Sequence, residues 1–222
     1  MLSNELRDRA WVEIEPRALR ENYGRIRESV GSNVAIIPMV KADAYGLGAE
    51  RVVRTLEPLD PYAVGVAAAE EGRALRAAGV RRPIMVFTPL TREALQVAVQ
   101  QDLTPAISDV ALLDYWTEIG NGAAFHLEID TGMGRAGFDW RETSAWGERV
   151  RAAVEKGAAC TGVFTHFHGA DAADGNAAAT QWQRFRDALA QLPLSKENLL
   201  LHASNSAAAL RWPEYALDAV RP

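Results

Sequence analysis

The sequence predicts an α/β fold, a single (β/α)8 TIM barrel, from three observations. Eight short apolar runs alternate along the chain with amphipathic helical stretches. The run at residues 33–40 is apolar on both faces, as in a parallel sheet covered by helices, and no linker or internal repeat divides the chain. An open, doubly wound sheet is the alternative architecture. A complete barrel takes about 250 residues, so this 222-residue chain, which stops near its eighth strand, is expected to be truncated.

The predicted elements begin with an alternating segment at residues 10–15, which is typical of a short strand. A helix follows over residues 16–30, because Pro16 suits a first helical turn and apolar residues recur behind it at helical spacing. Residues 68–79 and 144–157 predict further helices that each end at a glycine. The eight predicted barrel strands cover residues 34–40, 62–67, 83–88, 103–108, 123–130, 160–167, 198–204 and 216–220.

Composition narrows the classes of function. The net charge of −5 is spread over interleaved acids and bases, without the basic cluster that a nucleic-acid partner needs. The charged N-terminus and the lack of an apolar run of roughly 20 residues disfavour secretion and membrane insertion. Because Cys160 is the only cysteine, no internal disulfide can form, and we expect a cytoplasmic location.

Polar residues gather where the predicted strands end. In a barrel of this type the carboxyl ends of the strands form the active site, so these residues are predicted to lie close together. They are Lys41, Tyr45, Glu128, Asp130, Arg135, His166, His168, His202, Ser204, Asn205, Ser206 and Arg221. Lysine is scarce in this chain, with only two others, Lys156 and Lys196. A lysine directly after an apolar strand is therefore a candidate site residue.

This set of residues favours an anionic, aromatic ligand that is attached as an imine. The primary amine supplies the nucleophile, and guanidinium groups donate to oxygen or nitrogen acceptors. A metal site is the competing interpretation, with His166, His168 and Asp171 as its ligands. The predicted strand ends at residue 167, so the segment HFHGAD is already leaving it, which weakens that interpretation.

Four segments together resemble the pyridoxal 5'-phosphate (PLP)-dependent alanine racemases. They are VKADAYGLGA, EIDTGMGRAGF, THFHGAD and HASNSAAALR, in the order in which that family has them. The resemblance implies the N-terminal barrel domain of an isomerase that interconverts L-alanine and D-alanine, which supplies D-alanine for peptidoglycan. It also implies a homodimer at full length and a C-terminal β domain that is not in this sequence, with which residues 10–15 could pair.

The resemblance also assigns roles to individual residues. Lys41 resembles the lysine that binds PLP as an imine and later moves a proton at the α-carbon. Tyr45 resembles the tyrosine that forms a hydrogen bond with the cofactor phosphate. Arg135 is similar to the arginine near the phenolic oxygen and the substrate, and His166 to a histidine beside the pyridine ring. Asn205 and Ser206 match the cofactor-binding segment, with Ser206 on the phosphate, and Arg221 matches an arginine that donates to the pyridine nitrogen.

The chain departs from the family pattern in two ways. Glu128 stands where the family usually carries a carbamylated lysine, so we hypothesise that this carboxylate pairs with Arg135 directly. The second acid/base group, a tyrosine of the missing domain, has no match here, so the isolated chain is expected to be inactive as a two-base racemase. The alternatives are a single-domain PLP carrier and a racemase of another amino acid such as serine.

Overall fold

The computed structural model describes residues 12–222, which contain a parallel β-sheet surrounded by helices. Its strands are β1 Ala35–Ile36, β2 Val64–Val66, β3 Ile84–Val86, β4 Leu103–Ile107, β5 Ala124–Asp130, β6 Phe138–Asp139, β7 Ala159–Phe164, β8 Leu200–Asn205 and β9 Ala219–Arg221. Its α-helices are α1 Pro16–Val30, α2 Lys41–Tyr45, α3 Ala49–Leu56, α4 Ala69–Ala77, α5 Arg92–Gln100, α6 Val110–Ile119, α7 Thr143–Glu155, α8 Asn176–Gln191 and α9 Ser206–Arg211. Within this part of the chain, no helix is long and apolar enough to cross a bilayer.

The strands form a closed ring. Their hydrogen-bonded order is β1-β9-β8-β7-β5-β4-β3-β2, and every pair is parallel. The ring closes between β1 and β2, where the N–H of Val40 donates to the carbonyl of Gly65 over 2.7 Å and the N–H of Gly65 donates to that of Pro38 over 2.8 Å. The predicted barrel is therefore confirmed, and the open doubly wound sheet is wrong.

The local signals explain most element boundaries. Each of the eight predicted strand segments overlaps a barrel strand, and β7, β8 and β9 each extend one residue beyond the predicted range. Strand β6 is an additional short strand that pairs with the end of β5. Helix α1 begins at Pro16 as predicted, and α4 and α7 are followed by Gly79 and Gly157, both with positive φ. Residues 12–15 form no strand, since no described strand pairs with them, and residues 10 and 11 lie outside the described range.

Two of the three apolar clusters of the described residues lie on the two sides of the barrel strands, and the third packs around Phe167 and Ala203. The larger of the first two lies between the strands and the helices, and the smaller one fills the interior with Ile37, Ala63, Met85 and Ala219. Inward-facing side chains recur every second residue along a strand. Two residues beyond Ala219 the same strand presents Arg221, so the apolar interior gives way to polar side chains towards the carboxyl ends of the strands.

Candidate active site

One cavity of about 280 Å³ opens at the carboxyl ends of the strands. The structure brings the eight residues that were assigned roles in the site to its wall, from elements far apart in sequence. The lining comprises Met39, Lys41, Tyr45, Val66, Ala67, Phe87, Thr88, Pro89, Glu128, Arg135, Phe164, His166, Asn205, Ser206, Arg221 and Pro222. The cavity therefore combines one primary amine, two guanidinium groups, one imidazole and several hydroxyl groups.

Lys41 is presented by an unusual turn. The four residues after it, from Ala42 to Tyr45, all have positive φ values, between 51° and 57°. Left-handed backbone costs about 1–2 kcal/mol for each residue other than glycine, so this turn is strained and must be held by its surroundings. The Lys41 Nζ atom lies 5.9 Å from the centre of the Tyr45 ring, and it forms no hydrogen bond or ion pair with any residue in the 12–222 range.

Arg221 is buried at the base of the cavity, with 5% of its surface exposed. Its guanidinium donates to the Thr165 carbonyl over 2.9 Å and to the Ala203 carbonyl over 3.2 Å. It also lies 5.4 Å from the ring centre of Phe87 and 5.0 Å from that of Phe164. Burial lowers the pKa of Arg221 to about 10, so the group stays charged at neutral pH.

A chain of histidines fixes the orientation of Arg221. Its Nη1 atom lies 2.6 Å from His202 Nδ1, and His202 Nε2 lies 2.8 Å from His126 Nδ1. Arginine can only donate, so His202 accepts at Nδ1, carries its proton on Nε2 and donates to His126. Burial and the charge of Arg221 lower the pKa of His126 to about 3 and that of His202 well below its ordinary value. Both rings are therefore neutral at physiological pH.

His166 completes this polar layer at the cavity wall. Its Nδ1 atom lies 3.4 Å from Arg221 Nη2, a long contact in which the histidine accepts. Burial, followed by the charges of Arg221, Arg135 and Lys41, lowers the pKa of His166 to about 3. A neutral imidazole can accept a hydrogen bond or stack on a ring without adding charge to the cavity.

Glu128 is the least satisfied group in the site. Its side chain is 3% exposed, and its Oε2 atom has no hydrogen-bond partner among the described residues. Burial raises the pKa of Glu128 to about 7, and Asp130 adds to this rise while the charges of Arg135 and Arg221 oppose it. The hypothesised direct pairing with Arg135 is not formed in this structure, in which no ion pair joins the two side chains among residues 12–222.

Arg135 lies on the exposed loop after β5 and lines the cavity from its rim. The loop is shaped by Asp130, whose carboxylate accepts the N–H groups of Gly132 and Gly134, and by Gly137, with a φ of 115°. A Cβ atom on Gly137 would lie 2.5 Å from the Asp130 nitrogen, so glycine is required there. Asp130 thus supports the loop rather than facing the ligand space.

The remaining predicted residues lie in three different environments. Asn205 is the N-cap of α9, accepting the Ala208 N–H at Oδ1, while Ser206 is exposed at the start of that helix with its hydroxyl free to bind an anion. His202 and Ser204 are buried below the cavity wall. His168 is exposed, and no group of three His, Cys, Asp or Glu residues in the described chain is arranged to hold a metal ion.

Sequence reasoning missed the wall formed by the second and third strands of the barrel. Ala67, Phe87, Thr88 and Pro89 line the cavity there, together with Phe164 of β7. These residues are mostly apolar, so a search for polar residues at strand ends passes over them. Their signal is positional, because each follows a buried strand or ends one.

Comparison with known proteins identifies the family of this chain. A family model described as "Alanine racemase, N-terminal domain" matches residues 14–222. The chain belongs to this family. The alanine racemase of Halothermothrix orenii is 33% identical over 217 residues, which cover 96% of this chain and 57% of that protein. Alanine racemase 1 of Bacillus subtilis is 33% identical over 216 residues, which cover 95% of this chain and 54% of that protein.

Solved structures of alanine racemases share the fold. The enzyme of Clostridium difficile superposes with a TM-score of 0.85 at 29% identity, over 91% of this chain and 54% of that one. The alanine racemase of E. faecalis gives a TM-score of 0.84 at 30% identity, over 94% and 57% of the two chains. The resemblance to alanine racemases is thus confirmed, and this chain spans a little over half the length of these relatives.

Proposed function

We propose that this chain is the cofactor-binding barrel of a PLP-dependent alanine racemase. The observation that carries the proposal is the free amine of Lys41, which shares one cavity with the buried Arg221, a group that is charged at neutral pH. The racemase names of the relatives support alanine as the substrate, with serine as the alternative. The proposed setting is the bacterial cytoplasm, where a full-length homodimer supplies D-alanine for peptidoglycan.

The donor groups of the cavity fit PLP. The aldehyde requires an amine, which Lys41 provides, and the phosphate requires hydroxyl and N–H donors, which Tyr45, Ser206 and the start of α9 provide. The pyridine nitrogen requires a partner of fixed charge, and the Arg221 guanidinium is such a donor. When bound, PLP supplies an electron sink that makes the α-proton of an attached amino acid acidic.

The residues of the barrel then divide the work. Lys41 would hold the cofactor through its amine and, as the one primary amine of the cavity lining, would move a proton at the α-carbon of the substrate. Arg135, unpaired among the described residues, is available to bind oxygen acceptors of substrate or cofactor. His166 is neutral and accepts a hydrogen bond from Arg221, so it does not compete with the two arginines for anions.

Arg221 determines how strong the electron sink becomes. Its pKa of about 10 keeps the guanidinium charged at neutral pH, so a pyridine nitrogen held by this donor would accept a hydrogen bond and would stay unprotonated. An unprotonated ring withdraws fewer electrons, which disfavours side reactions such as transamination. This suits a reaction that only removes and returns one proton.

Racemisation also requires an acid or base on the opposite face of the substrate, which in the family is a tyrosine of a further domain. We propose that the 222-residue chain alone captures the cofactor but does not complete two-base racemisation. A PLP carrier would share the capture step. Exchange of the α-proton of D- and L-alanine, measured on a chain that includes the second domain, separates a racemase from a carrier.

Capture of PLP by Lys41 is the direct test. We expect wild-type protein mixed with PLP and reduced with borohydride to gain one phosphopyridoxyl group, located on the Lys41 peptide by mass spectrometry. The Lys41→Ala variant should lose this product entirely, because no other lysine lines the cavity. Lys156→Ala is the matched control and should label like wild type. Labelling that persists in Lys41→Ala would contradict the proposal.

Independence from carbon dioxide tests the role of Glu128. A carbamylated lysine depends on dissolved carbon dioxide, whereas an encoded carboxylate does not. We therefore expect the PLP affinity of this chain to change by less than about twofold between bicarbonate-free and bicarbonate-rich buffer at constant ionic strength. A Glu128→Lys variant should become bicarbonate-dependent. An increase in wild-type affinity with bicarbonate would show that Glu128 does not replace a modified lysine.

A further inference from the structure

One carboxylate outside the cavity joins two of the loops that form its mouth. Glu71 lies in the first turn of α4. Its Oε1 atom accepts the backbone N–H of Ala42 over 2.6 Å, and its Oε2 atom accepts those of Ala67 over 2.8 Å and Ala68 over 3.1 Å. Ala42 directly follows Lys41, and Ala67 lines the cavity. A single side chain therefore connects the end of β1 to the end of β2.

This connection lies where the barrel is least reinforced. The segment that follows β1 is joined to β2 by one bridge, between Met39 and Gly65, whereas β1 pairs with β9 over two residues and β2 with β3 over three. The left-handed turn from Ala42 to Tyr45 begins three residues after Met39. A strained turn persists only if surrounding contacts hold it. The Glu71 carboxylate accepts the N–H of Ala42, the first residue of this turn. The first N–H groups of a helical turn have no partner within the turn itself.

We propose that Glu71 is a positioning residue for Lys41, holding the left-handed turn that directs the amine into the cavity. The inference rests on the proposed function only in taking Lys41 as the amine that captures PLP. Both carboxylate oxygens are used, one for each loop. A glutamine has one oxygen and one NH2 group at the same positions, so it can accept from only one loop and must release the other.

The test compares Glu71→Gln with Glu70→Gln. Glu70 is the exposed neighbour in the same helical turn, so both variants remove one charge from the α4 N-terminus, but no described backbone N–H donates to Glu70. Amide hydrogen exchange of the peptide covering residues 41–49 is measured by mass spectrometry without cofactor. Loss of a charge-assisted hydrogen bond should accelerate exchange about tenfold in Glu71→Gln, with no change in Glu70→Gln. The peptide of α6 is the internal reference for an intact fold.

A second readout reports on Lys41 itself. The rate of borohydride-trapped PLP labelling at Lys41, followed across pH, should fall about tenfold in Glu71→Gln and match wild type in Glu70→Gln. Equal exchange of the 41–49 peptide in the two variants would overturn the inference, whether or not PLP binds. Faster exchange with unchanged labelling would overturn it too, because the turn would then not position the amine. Absence of labelling in wild type would overturn the proposed function instead, and the exchange comparison would still decide whether Glu71 holds the turn.

Discussion

Replacing Glu128 by glutamine is expected to stabilise the protein above neutral pH and to have little effect under mildly acidic conditions. Burial raises the pKa of Glu128 from its ordinary value of 4.5 to about 7. Between these values the unfolded chain releases the proton while the folded protein retains it, so the free energy of unfolding falls as pH rises. At about 1.36 kcal/mol per pH unit, the loss reaches about 3 kcal/mol above pH 7.

Glutamine has nearly the same shape as glutamate and does not ionise. The free energy of unfolding of Glu128→Gln, relative to that of wild type, should therefore rise by about 3 kcal/mol between about pH 5 and about pH 8. Urea unfolding at both values, followed by tryptophan fluorescence, measures this difference. The lowered pKa values of His126, His166 and His202 shift stability in the opposite direction below about pH 6.5, but they do so equally in both proteins. Glu70→Gln controls for the chemical change at an exposed site. If the free energies of unfolding of Glu128→Gln and wild type changed with pH in parallel, the raised pKa of Glu128 would be contradicted.

The positions of the strands were predictable because the signal is local. Runs that are apolar on both faces identify strands covered by helices, and carboxyl ends of parallel strands converge, so Lys41, His166 and Arg221 were grouped without knowledge of the chemistry. The cavity includes all three. Roles carried over from the family resemblance stay predictions until PLP capture is measured.

The turn after Lys41 was not predictable from local rules. Positive φ values are expected at glycine, and Gly46 and Gly48 do have them, but Ala42 to Tyr45 adopt them as well. Only contacts from distant elements, such as the Glu71 carboxylate 29 positions along the chain, can hold such a turn. The residue types at positions 42–45 therefore gave no indication that this turn is left-handed and strained.

The partners of Arg221 and Glu128 were hidden for a similar reason. The sequence places a histidine at position 126 within an ordinary strand, and its role arises only from contact with His202, 76 positions away. The direct contact of Glu128 with Arg135 was anticipated from charge, but the geometry leaves one carboxylate oxygen unpartnered. Charge complementarity indicates which groups attract each other, and the backbone determines whether they meet.

Replacing Gly162 by alanine tests the support of Arg221 from below. A bulge in β7 places Gly162 opposite His126 on β5. A Cβ atom at this position would lie 2.6 Å from His126 Nε2 and closer still to two other ring atoms. The His126 ring cannot move away freely, because it is buried and bonded to His202. Overpacking together with the loss of this buried hydrogen bond should lower the free energy of unfolding by about 3 kcal/mol.

Gly24→Ala is the matched control for this substitution. Gly24 lies within α1, and a Cβ atom there would meet no other atom within 4 Å. Alanine has the higher helix propensity, so this variant should gain about 0.5–1 kcal/mol. Urea unfolding of both variants separates the cost of the clash from the effect of adding a methyl group. If Gly162→Ala were as stable as wild type, the His126 ring would have room to move, and the histidine chain could not be what fixes the Arg221 guanidinium.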